Sequence, residues 1–223
     1  MSARETILAR IRSRLPGTEA ARRDAVELHL AAHGANLVPL RGLGDGDHRL
    51  SLFTRLMTGV GGSVETVETL ADVVQAVAAH MAAAGLPPSL RKGADTTLAH
   101  LPWHRAPGLT LLSGPADPAD HTTLSLAFAG VAESGTVLLL SGPDNPATLN
   151  FLPELHMVVL PASRLVSCYE DVWPLLRASQ GDGLMPSTLN MISGPSRTAD
   201  IEQTIVRPAH GPRDLHVIIV VGA

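Results

Sequence analysis

The chain has 223 residues, of which 45% are hydrophobic and 17% charged, and it carries a net charge of −4. These values describe a folded chain with one sizeable core rather than a disordered one. With no basic stripe, nucleic acid is not expected as the main partner. No run of about 18 apolar residues is present, so no membrane span is expected either.

The first segment, MSARETILARIRSRLPG, lacks a hydrophobic signal core and is read as cytoplasmic. Ile7, Leu8, Ile11 and Leu15 share one face of a helix over residues 4–15, stopped by Pro16-Gly17. A second helix is expected over about residues 18–33. The glycine-rich LRGLGDGD that follows reads as a connection. The expected division is therefore a helical arm over 1–45 and a main α/β domain over 46–223.

Helix and strand signals alternate from residue 48 onward. HRLSLFTRLMTG reads as a helix ended by Gly59, GSVETVE as a strand, and LADVVQAVAAHMAAAG as a long helix started by Thr69 or Asp72. Short apolar runs then follow as strands: LTLLS, TLSLAFA, TVLLLS, LHMVVLP, STLNMIS and LHVIIVV. CYEDVWPLLRA suits one more helix, with Pro174 in its first turn or at a kink. Continuous Val/Ile/Leu strands separated by helices predict a mostly parallel sheet flanked by helices on both faces.

Several residue types are informative by their scarcity. Cys168 is the single cysteine, which excludes an internal disulfide and a four-cysteine iron–sulfur cluster in this chain. Lys92 is the single lysine; a Schiff-base role is conceivable, but LRKGAD reads better as an exposed turn. The pairs His29/His33 and His100/His104 lack a third ligand at a recognisable distance, so no metal site is expected. His156 and His216 sit inside apolar strands and are expected to be structural.

Three strands end in Ser-Gly-Pro, at 113, 141 and 193. The third differs because Ser196, Arg197, Thr198 and Asp200 follow it. Gly194 allows close backbone approach to a ligand, the hydroxyls of Ser196 and Thr198 can donate, and Arg197 offers a planar fork for a carboxylate or phosphate. TADIE can then cap a short helix, with Thr198 or Asp200 accepting from its first N–H groups; the alternative is that Asp200 merely pairs with Arg197 across this cap. His210-Gly211 precedes the last strand and can close over the same loop. A second stretch, GVAESGT, places Glu133, Ser134, Gly135 and Thr136 on a tight connection. Glu133 can serve there as base, nucleophile or ligand clamp, or it is a solvated residue of a strand-to-strand turn. Both stretches are expected where strands end and helices begin, the usual ligand side of an open parallel sheet.

Taken in order and spacing, GVAESGT, LHMVVLP, SGPSRTADIE and HGPRDLHVIIV resemble the LUD domain of the lactate utilisation protein C (LutC/YkgG) family, over roughly residues 48–223. The resemblance implies a fold like that of the phosphosugar isomerase and coenzyme A transferase superfamily (NagB/RpiA/CoA transferase-like). It also implies a part in a cytosolic three-protein system that oxidises L-lactate to pyruvate, with iron–sulfur partner subunits. The cofactor of this chain is not defined by it. Glu133-Ser134-Gly135 is similar to the Glu-x-Gly turn that carries the nucleophile of coenzyme A transferases. A stand-alone isomerase or acyl transferase using Glu133, and a non-catalytic assembly or regulatory subunit, therefore stand as alternatives.

Overall fold

The computed structural model describes residues 2–181, 184–199, 205–206 and 211–223. The chain divides into two compact units, Met1–Val38 and Pro39–Ala223. The first holds helices α1 (Ala3–Arg14) and α2 (Glu19–Ala32), neither with a buried residue. A capping box starts α1: Ser2 Oγ accepts from the Glu5 amide, and Glu5 Oε2 accepts from the Ser2 amide at 2.6 Å. Thr18 caps α2 in the simpler way, accepting from the Ala21 amide.

The second unit runs α3 (Gly46–Gly59), β1 (Ser63–Val67), α4 (Val73–Ala83), β2 (Ser89–Lys92), α5 (Thr96–Ala99), β3 (Thr110–Ser113), β4 (Thr122–Leu126), β5 (Ala129–Val131), β6 (Thr136–Leu140), β7 (Leu155–Pro161), β8 (Leu165–Val166), α6 (Val172–Gln180), β9 (Leu189–Ile192), β10 (Thr198–Ala199), β11 (Ile205–Val206) and β12 (Asp214–Val220). Six strands form a parallel sheet in the order β1-β12-β7-β4-β2-β3. The expected mostly parallel sheet flanked by helices is thus present. Its central strands are buried on both faces, which is why they read as unbroken apolar runs. Along β7, Leu155, Met157 and Val159 pack toward Val73, Val77 and Met81 of α4. Val158 and Leu160 point the other way, toward Phe53 and Met57 of α3 and Val137 and Leu139 of β6.

Three features depart from expectation. A second, four-stranded sheet has the order β8-β5-β6-β9, with β5–β6 and β6–β9 antiparallel. TLSLAFA, expected as one strand, leaves the parallel sheet after Leu126 and re-enters this second sheet at Ala129. SLRK forms β2, an interior strand hidden from pattern reading by its shortness and its charges. Lys92 therefore sits in a strand with only 7% of its surface exposed, not in an open turn. Its Nζ donates to the Gly93 carbonyl, while neighbouring Arg91 points oppositely to pair with Asp120. The other elements lie close to their expected ranges, with Pro174 in the first turn of α6.

Candidate functional site

Residues 132–135 form the hairpin turn between β5 and β6, and Gly135 has φ +65° there. A side chain at that position would stand 2.8 Å from the Leu56 Cβ and Met57 amide, so glycine lets the turn lie against α3. Glu133 is in the expected turn but is buried, contrary to the solvated alternative. Its Oε1 accepts from the Tyr169 amide at 3.1 Å, and its buried Oε2 bonds to no described residue.

Next to it lies a cluster of hydroxyls. Thr136 Oγ1 is 2.7 Å from Ser134 Oγ, 2.8 Å from the Tyr169 hydroxyl and 2.6 Å from Ser193 Oγ. The last contact joins the hairpin to the third Ser-Gly-Pro. It arises because β6 and β9 pair antiparallel, bringing Val137 opposite Ile192. The two stretches singled out in the sequence, 57 residues apart at Thr136 and Ser193, thus meet at their edges.

Beyond Ser193 the chain borders a cavity of about 260 Å³. Gly194, Ser196 and Gly211 line it, together with Asn150, His156 and Leu215. Gly194 has φ +143°, and a Cβ there would meet Val60 at 2.8 Å, so the close turn depends on glycine. Phe151, Met191 and Ile192 add apolar wall. The cavity lies at the amino ends of β7 and β12, not at the carboxyl ends where the sequence reading placed the site. The reason is β9: it belongs to the second sheet and delivers residues 193–196 to the opposite edge of the parallel one. Glu133, Ser134, Gly135, Thr136 and Arg197 are not among the lining residues. Arg197 follows directly on the lining Ser196, and its buried Nε bonds to no described residue.

Where a short helix is expected to start after Arg197 the chain is extended, and residues 200–204 lie outside the described residues. Thr198–Ala199 is extended as β10 and pairs antiparallel with Ile205–Val206. Asp200 and His210 lie outside the described residues, so their expected roles are not located.

Sequence reading missed the polar floor of the cavity. His156 and Asn150 are buried, His156 Nε2 lies 3.1 Å from Ser125 Oγ, and Ser125 Oγ is 3.4 Å from Asn150 Oδ1. Burial pushes the His156 pKa down to about 3, so the ring is neutral near pH 7. The one available signal was a histidine inside the apolar run LHMVVLP. Among the described residues, no group of three or more His, Cys, Asp or Glu side chains is placed to hold a metal. No helix among them is long and apolar enough to cross a membrane.

Comparison with known proteins shows what this chain is similar to. Residues 119–220 match the LUD domain, and all four motifs named above fall in or on the border of that range. The resemblance expected from those motifs is borne out. Among particular relatives, a lactate utilization protein C of Halalkalibacterium halodurans is 37% identical over 122 residues, 53% of this chain and 51% of that protein. Another of that name, from Geobacillus kaustophilus, is 33% identical over 130 residues, 57% of this chain and 52% of that protein. An uncharacterized protein of Neisseria meningitidis serogroup B is 37% identical over 98 residues, 42% of this chain and 40% of its own length. The chain spans about half the length of the curated relatives it matches. A DUF162 family protein from Deinococcus radiodurans has the same fold, with a TM-score of 0.59 at 22% identity over 80% of this chain and 100% of its own.

Proposed function

We propose that this chain is a component of a cytosolic L-lactate utilisation system, that it binds a small carboxylate- or phosphate-bearing ligand in the cavity beside Ser193–Ser196, and that it works with iron–sulfur partner subunits. The observation that carries the reading is that a loop within the LUD match walls a cavity. Arg197 stands next in the chain with a buried Nε, and a guanidinium suits a carboxylate or phosphate through paired charged hydrogen bonds. Oxidation of lactate to pyruvate releases two electrons and two protons. One buried cysteine cannot hold an iron–sulfur cluster, so carriers in partner subunits would take those electrons. Relatives named lactate utilization protein C support the physiological setting. Deletion of the gene should slow or abolish growth on L-lactate and spare growth on pyruvate. Undiminished growth on L-lactate, in a strain with no second copy, would refute the proposal.

A second reading has Glu133 as base or nucleophile of a stand-alone isomerase or acyl transferase. It is favoured by one observation: a buried carboxylate with one oxygen bound to a backbone amide and the other bonded to no described residue.

A further inference from the structure

A second cavity, of about 170 Å³, lies at the carboxyl ends of the parallel strands, where open α/β sheets usually bind ligands. Leu126, the last residue of β4, lines it. Asp95 reaches it from the segment after β2, and Arg164 from the segment after β7. Because β4 lies between β7 and β2 in the sheet, this carboxylate and this guanidinium approach from opposite sides of its end. The second Ser-Gly-Pro, at 141, brings in Asp144 on the β2 side. There the Ala94 amide donates to the Pro143 carbonyl at 3.0 Å, and a Cβ on Gly93 would overlap the Asp144 carbonyl. The charges are held in place but not paired with one another. Arg164 Nη1 donates to the carbonyl of Ala127, another lining residue, at 2.9 Å, which keeps the guanidinium at the cavity wall. Asp95 Oδ1 caps α5 by accepting from the Leu98 amide at 2.8 Å. Among the described residues, Arg164 forms no ion pair with either aspartate.

We propose that this second cavity binds a short ω-amino carboxylate. Opposite charges that share a cavity and stay apart suit a ligand that carries both. The ligand's ammonium group meets Asp95 and Asp144, where two carboxylates call for a full positive charge. Its carboxylate meets the guanidinium N–H groups of Arg164 that Ala127 leaves free. Leu126, Phe128 and Leu140 offer apolar surface to the methylenes between. Neighbouring strands stand about 4.8 Å apart, so β2 and β7 are separated by roughly 10 Å. That separation favours an amino group several methylenes from the carboxylate over an α-amino acid, whose two charges are adjacent. The site lies at the other end of β7 from the cavity beside Ser193–Ser196, and it does not depend on ligand binding there.

Calorimetric titration of the full chain with γ-aminobutyrate tests it, with butyrate, n-butylamine and L-alanine as comparisons. γ-Aminobutyrate should bind most tightly, and butyrate and n-butylamine should each be weaker by on the order of tenfold, the effect of one charged hydrogen bond. Arg164→Gln and Asp144→Asn should each weaken γ-aminobutyrate by a similar factor. Asp144 is exposed, so Asp144→Asn keeps the test open if Arg164→Gln fails to fold. Butyrate or n-butylamine binding as tightly as γ-aminobutyrate would overturn the double-charge requirement, and tighter binding of L-alanine would overturn the spacing. Binding that both variants leave unchanged, but that Met191→Trp abolishes, would put the ligand in the other cavity and overturn the assignment. No binding of γ-aminobutyrate would overturn it outright.

Discussion

Glu133 shows how one side chain can serve structure and still be chemically available. Its Oε1 holds the Tyr169 amide at 3.1 Å, fixing the segment that leads into α6. Oε2 is buried and bonds to no described residue, a costly arrangement for a carboxylate unless something else meets it. Glu133→Gln keeps an oxygen for Tyr169 and removes the charge. If the chain serves lactate utilisation through its cavity, the variant should restore growth on L-lactate to a deletion strain almost as well as the parent. Failure to restore growth, with the melting temperature unchanged, would favour the reading in which Glu133 does the chemistry. Gly135, two residues on, illustrates a simpler dependence, since its φ of +65° and its approach to α3 leave no space for a side chain.

At the scale of elements, the decisive contact is between β6 and the end of β9. Thr136 is fully buried, and its hydroxyl lies within hydrogen-bond distance of Ser134, Tyr169 and Ser193. It fixes the hairpin, the approach to α6 and the cavity loop relative to one another. Thr136→Val keeps the shape and deletes the hydroxyl, leaving buried partners short of a bond. Urea unfolding should show a loss of about 1–3 kcal/mol. A loss below about 0.5 kcal/mol would mean that the three hydroxyls satisfy one another without Thr136. The two-residue pairing of β10 with β11 matters at the same scale, because it takes Thr198–Ala199, directly after Arg197, into an extended strand.

For the whole molecule, the parallel sheet buries two histidines in adjacent strands. Burial pushes His156 of β7 down to about 3. Burial, helped by His80, does the same for His216 of β12. His216 stacks on His80 of α4 with ring centroids 3.7 Å apart, and its Nδ1 is 2.7 Å from Ser63 Oγ. Its Nε2 lies 3.4 Å from Glu65 Oε2, but outside hydrogen-bonding geometry; the ring is neutral, so the contact is no ion pair. An unfolded histidine titrates near 6.5. Between that pH and about 3 the unfolded chain binds protons that the folded chain refuses, so stability falls as pH drops through this window. Each histidine contributes up to about 1.4 kcal/mol per pH unit there. The urea midpoint should be lower at pH 5 than at pH 7, and His216→Gln should reduce the difference. A midpoint that does not move between these values would contradict the buried neutral state.

Much of this architecture was legible because local chemistry and burial agree. LHMVVLP and LHVIIVV are apolar on both faces because the central parallel strands β7 and β12 are covered on both. LADVVQAVAAHMAAAG declares its helix through the spacing of Val73, Val77 and Met81. The Ser-Gly-Pro at 193 stood out through the polar residues behind it, and its serine, glycine and proline do border the cavity. What stayed hidden depends on pairing between distant segments. SLRK becomes a strand only because β3 and β4 flank it. TLSLAFA divides only because a second sheet accepts its end. Asn150, His156 and Ser125 look unrelated in the sequence, and the parallel pairing of β4 with β7 brings Ser125 within hydrogen-bond distance of the other two. Sequence alone determined the alternation of helix and strand, the glycines of the two turns and the likeness to the LUD domain, since these reside in local residue order. Only the tertiary structure decided which sheet each strand joins, and therefore that the cavity opens at the amino ends of β7 and β12, because strand partnership is set by non-local hydrogen bonding and shared burial.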